Sequence, residues 1–144
     1  MGKKNKVLPG LILFLFFTLG FVQSSPADSK DQGKAVEAAM NWLALVDQGN
    51  YGKSWETAAG YFKGAVTEKQ WEQAVTGVRS PLGKVISRKI KSKQYATSLP
   101  GAPDGEYVVI QFETSFEKKK SSVETITPMK EKDGSWRVSG YYIK

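Results

Sequence analysis

The chain has 144 residues, 21 of them basic and 14 acidic, for a formal net charge of +7. It contains neither Cys nor His. That excludes thiol nucleophiles, disulfides, Ser-His-Asp triads, His-ligated haem and Cys/His zinc sites, and no cofactor is expected.

The first element in chain order is a leader. Lys3, Lys4 and Lys6 form a basic start, Pro9-Gly10 a break, and Leu11 to Val22 an apolar run. Small residues at Ser24-Ser25-Pro26-Ala27 then supply cleavage after Ser24 or after Ala27. This is the layout of a secretory signal peptide, read as residues 1–24. The stretch from Val7 to Val22 is short of the roughly 20 apolar residues a membrane span needs, so no stable span is expected after cleavage. Lipoprotein attachment requires a Cys that the chain lacks. An exported domain without disulfides suits a bacterial envelope, periplasmic or secreted. Loss of the three leader lysines takes the formal charge from +7 to +4.

About 120 residues then remain, one domain by length and large enough to bury its own core. Residues 25–34 are polar and expected to be flexible; residues 35–144 are expected to form a single α+β domain. Ala35, Ala39, Trp42, Leu43 and Val46 recur at spacings of three and four, which predicts an amphipathic helix ended by Gly49-Asn50. Tyr51, Trp55, Ala58 and Ala59 predict a shorter helix closed by Gly60. Thr67 stands three residues before Gln70, a capping-box spacing, and Trp71, Ala74, Val75 and Val78 predict a third helix. Arg79 suits that helix's C-terminal dipole.

After Ser80-Pro81-Leu82-Gly83 the period changes to two. Val85–Gln94 reads as a strand with Ile86, Arg88 and Ile90 on one face. Tyr107–Phe116 is the second strand, with Val108, Ile110, Phe112, Thr114 and Phe116 together. Ser122–Met129 is the third, demoted near Pro128. The Asp133-Gly134 hairpin signal leads to the last, Trp136–Ile143, with Trp136, Val138, Gly140 and Tyr142 inward. Helices first and antiparallel strands after predict an α+β fold: three N-terminal helices packed on a curved four-stranded antiparallel sheet.

Several pieces together resemble one family. They include Trp42-Leu43, Gly49-Asn50-Tyr51, Ser54-Trp55, Arg79-Ser80-Pro81-Leu82-Gly83, Leu99-Pro100-Gly101-Ala102-Pro103-Asp104-Gly105 and Asp133-Gly134-Ser135-Trp136-Arg137-Val138. The chain resembles the domain-of-unknown-function 4019 family of exported bacterial proteins. The resemblance implies a small exported domain and no established activity. The element order is also similar to the NTF2-like, cystatin-like cone, a shape that hosts enzymes and inert binders alike.

The candidate ligand-binding residues are Arg88, Trp55, Trp71, Glu124 and Tyr142. Arg88 sits on a face that should meet the helices, where a guanidinium needs an anionic partner. It is a ligand anchor, one end of an internal salt bridge to Glu56, Glu72, Glu113 or Glu124, or a residue turned outward by a bulge. The tryptophans at helical spacing are core or the walls of an aromatic pocket. Asp47, Glu56, Glu113 and Glu124 are the candidate general bases. No base–donor pair stands out by spacing, which weighs against catalysis. Lys84, Arg88, Lys89, Lys91 and Lys93 make a basic run, either a surface for anionic envelope polymers or a solvated strand face. No nucleic-acid motif accompanies it, so nucleic acid is not an expected partner. The expected function is a non-catalytic ligand- or protein-binding accessory module of the bacterial envelope. The alternatives are a small cone-type isomerase, hydratase or hydrolase using a carboxylate and a Tyr, or an electrostatic binder of anionic polymers. The mixed charges allow a homodimer.

Overall fold

The computed structural model describes residues 28–144. The expected leader and the first residues of the polar segment lie outside them. The described residues fold as α+β, with four α-helices, one 3-10 turn and a four-stranded antiparallel sheet.

Helix α1 spans Asp28–Asp47 and so begins seven residues before the expected Ala35. Its apolar stripe behaves as the spacing requires: Ala35, Ala39, Trp42, Leu43 and Val46 are all buried. The helix ends where Gly49 takes a positive φ of 75°. The single short helix expected next is two helices, α2 (Tyr51–Thr57) and α3 (Gly60–Ala65). Gly60 opens α3 rather than closing α2. Between them Ala58 and Ala59 are extended, with ψ of 165° and 149°. Helix α4 (Glu68–Arg79) starts with the expected capping box. There Gln70 N donates to Thr67 Oγ1 at 3.2 Å and Thr67 N donates to Gln70 Oε1 at 3.0 Å. Ser80–Leu82 form the 3-10 turn, and Gly83 follows with φ 74°.

The strands are β1 (Val85–Ala96), β2 (Tyr107–Phe116), β3 (Lys119–Lys130) and β4 (Trp136–Ile143), in the spatial order β1-β2-β3-β4. β1 and β4 are therefore the edges. One sheet face carries the main core. There Val108, Ile110 and Phe112 of β2, Ile126 of β3 and Val138 of β4 pack with Trp42, Phe62, Trp71 and Val75 from the helices. Tyr107 lies on the opposite face, in a small cluster with Ala96, the last residue of β1, and with Leu99 from the loop that follows.

Three irregularities change which residues face the helices. In β1, Val85 pairs with Phe116 and Ser87 with Ser115, so Ile86 is an extra, bulged residue. Ile86 therefore leaves the face expected for it and is 65% exposed, while Arg88 and Ile90 remain opposite inward Thr114 and Phe112. Lys91 is a second extra residue of the same kind. In β4, Val138 pairs with Pro128 and Gly140 with Thr127, leaving Ser139 extra. Its hydroxyl donates to Thr127 O at 2.7 Å. Beyond it the phase reverses. Tyr141, not Tyr142, enters the core, and Tyr142 is half-buried on the other side opposite Thr125. Pro128 does not end β3. The β2–β3 register has no pair between Tyr107–Met129 and Ile110–Ile126, the stretch that holds Pro128, so its missing N–H falls in a gap of the ladder.

Candidate functional site

Two polar regions compete for the role of site. The first surrounds Arg88. Its Nε donates to Glu124 Oε1 at 2.7 Å, and its Nη1 and Nη2 donate to Asp47 Oδ2 and Oδ1 at 2.7 and 3.0 Å. Arg79 Nη2 also donates to Asp47 Oδ1, at 2.7 Å. Thr114 Oγ1 donates to Glu124 Oε1 at 2.6 Å, and the Tyr141 hydroxyl donates to Glu124 Oε2. Two guanidinium groups and two carboxylates thus close on each other. Asp47 ends α1, Arg79 ends α4, Arg88 lies on β1 and Glu124 on β3, so the cluster ties both long helices to the sheet.

Burial is deep. Glu124 has no exposed surface, and the Arg79 and Arg88 side chains are 6% and 9% exposed. Burial raises the Asp47 carboxyl, yet the hydrogen bonds and charges of Arg88 and Arg79 outweigh it and hold the group below the ordinary carboxylate range. Burial likewise opposes the charge on Arg88, and Asp47 with Glu124 more than restores it. Burial and then the charge of Glu124 push the Tyr141 hydroxyl well above its ordinary value, so it stays a donor. Arg79 keeps two buried donors, Nε and Nη1, without a protein acceptor, and its guanidinium lies 5.0 Å from the centre of the Phe116 ring.

Both expected poles of a carboxylate-and-tyrosine enzyme meet here, as Glu124 and Tyr141. Each oxygen of Glu124 is already occupied by a donor, and the carboxylate is sealed from solvent. That arrangement holds a charge in place; it does not offer a base to a substrate. Of the four acidic partners proposed for Arg88, Glu124 is the one it meets. Glu113 instead lies on the outer face with Lys89 at 3.3 Å, and Glu56 pairs at the surface with Lys53 at 3.5 Å. Arg79 was not among the expected site residues, and Asp47 was named as a candidate general base but not as a partner of Arg88. Their signal was the four-residue step: Asp47 follows Ala39 and Leu43, and Arg79 follows Trp71 and Val75, each extending a buried stripe by one turn.

Trp71 and Trp55 are structural in their contacts. Trp71 stacks edgewise on Phe62 with ring centres 5.1 Å apart, and its Nε1 donates to Ser54 Oγ at 2.9 Å. Trp55 Nε1 donates to Val66 O at 2.8 Å, and Trp42 Nε1 to Ser54 O at 2.8 Å. Tyr142 sits on the opposite sheet face from Arg88 and Glu124, so the five expected residues do not converge on one pocket.

The second region is a groove of about 540 Å³ between α1, the end of α2 and the start of β4. Trp42, Trp136 and Val138 give it apolar surface, and Asn41 and Thr57 add polar groups. Its charged lining is balanced: Lys34 and Arg137 against Glu37 and Glu56. Trp136 is 8% exposed, and its Nε1 is buried without an acceptor. Three of the four indoles therefore donate within the protein and the fourth, on the groove, does not. No motif in the sequence marks this, because an unmet donor is visible only once every neighbour is placed.

Among the described residues no group of three acidic side chains gathers to hold a metal, and no helix is long and apolar enough to cross a membrane. The model of a protein family of unknown function, DUF4019, matches residues 38–141. The chain belongs to that family. No curated protein matches it.

Proposed function

We propose that the chain is an exported, non-catalytic binding module of the bacterial envelope, with its ligand seated in the groove between α1 and β4. The observation that carries this is the groove itself, about 540 Å³ of concave space in which apolar Trp42, Trp136 and Val138 stand beside polar Asn41 and Thr57. Export rests on the basic, apolar and small-residue order of residues 1–27. The proposal includes an NTF2-like cone as superfold. Its supports are the helix-first order, the helices gathered on one sheet face, and the bulges at Ile86, Lys91 and Ser139 that bend the sheet.

The test is a native mass spectrum of the protein purified gently from its own envelope fraction. Extra mass on the wild type that Asn41→Trp removes is the expected result, since Asn41 lines the groove and its own side chain is exposed. Extra mass kept by Asn41→Trp but lost from a still-folded Arg88→Met would move the site to the ion-pair cluster. A bare wild-type mass would count against a retained ligand.

A further inference from the structure

The groove runs beside the free edge of β4, and the chain shows how that edge is used. Val138 turns its carbonyl away from β3 and accepts from Ala59 N at 2.8 Å. Ala58 and Ala59 are extended at that point, so the α2–α3 connection acts there as one residue of an added strand. Main-chain groups alternate sides along an antiparallel strand, so Trp136, two residues earlier, turns its N–H and C=O toward the same edge. The groove lies where the Ala58–Ala59 cover stops, between Thr57 and Gly134.

Resting on the binding-module reading, we infer that the ligand is an extended, net-neutral segment of a partner polypeptide that adds to β4 at Trp136. Its backbone exchanges two hydrogen bonds with Trp136 N–H and C=O. One residue of an extended peptide presents both the acceptor and the donor that this edge requires. The balanced lining of Lys34, Glu37, Glu56 and Arg137 favours a segment without large net charge. A glycan fits less well, because sugar stacking needs open ring faces and Trp42 and Trp136 are only 3% and 8% exposed.

The experiment titrates the 15N-labelled exported protein with a pool of end-capped octapeptides. In the pool Val, Ile and Leu alternate with Ser, Thr, Lys and Glu, at zero net charge. Chitohexaose is the parallel probe. The expected result is movement of both the Trp136 amide and its indole N–H signals, with at least tenfold slower amide exchange at Trp136. Asn41→Trp, with an unchanged unfolding curve, abolishes all three. Movement with chitohexaose and not with peptides overturns the peptide and leaves a binding module. The same holds if neither probe acts but the envelope-purified protein carries a mass that Asn41→Trp removes. Peptide shifts confined to β1 overturn the β4 site. No response and no retained mass sinks both readings.

Discussion

The ion-pair cluster and the groove share helix α1, with Asp47 at its C-terminal end and Asn41 and Trp42 more than a turn earlier, and they treat polar groups in opposite ways. In the cluster, Asp47, Arg79, Arg88 and Glu124 meet most of one another's demands inside the protein. In the groove, the surrounding charges stay at the surface and a single neutral donor, Trp136 Nε1, is left over. A charged residue aimed at a core is thus a poor guide to ligand binding, because its partners are selected to be internal. Concave space beside an uncovered strand edge is the better guide.

The two regions should respond differently to change. Arg88→Ala carries the largest expected effect. It leaves Glu124 buried without its cation, at a cost of about 3–5 kcal/mol. Urea unfolding at neutral pH measures it, and a midpoint equal to wild type would mean that the cluster does not hold the fold. Tyr141→Phe removes one donor to a buried carboxylate and should cost about 1.5–3 kcal/mol in the same assay.

Acid should next separate the regions by pH. The Asp47 carboxyl is held below its ordinary value, so its contribution is present above about pH 4, the unfolded range, and fades as pH falls through the folded value. Asp47→Asn should flatten the acid limb of the stability curve; an unaltered limb would assign acid sensitivity elsewhere. Tyr141 has the opposite sign. Its raised value makes a contribution that is complete below about pH 10 and is lost as pH climbs through the folded value. Tyr141→Phe should therefore flatten the alkaline limb. The smallest effect belongs to the groove. Asn41→Trp is an exposed substitution and should shift stability by no more than about 0.5 kcal/mol while removing ligand. A large loss of stability there would show that the groove is part of the packing.

Local patterns were legible in the sequence wherever one element decides its own form. The α1 stripe from Ala35 to Val46, the Thr67–Gln70 capping box and the inward set of β2 are of this kind. The misses lie where two elements must agree. The bulges at Ile86 and Ser139 are settled by strand pairing, and with Ser139 went the choice of Tyr141 over Tyr142. The split at Gly60 reflects the Ala59–Val138 hydrogen bond, which pulls the connection straight. Arg88 was visible as a charge that needed a partner, and Glu124 was among the partners considered. Asp47 could not be named as the other half, because a helix end and a strand residue 41 positions apart share no local signal.

The long edge strand β1 has a consequence for handling the protein. Its 12 residues end the sheet, and Ile86 and Ile90 stand 65% and 45% exposed among Lys84, Lys89, Lys91 and Lys93. Like charges keep two such edges from zipping together, and that repulsion is only as long-ranged as the ionic atmosphere allows, about 10 Å at 0.1 M salt and about 3 Å at 1 M. Colloidal behaviour is thereby coupled to ionic strength. In dilute buffer the lysines keep molecules apart, whereas concentrated brine leaves two exposed isoleucines and an unpaired backbone to govern self-association.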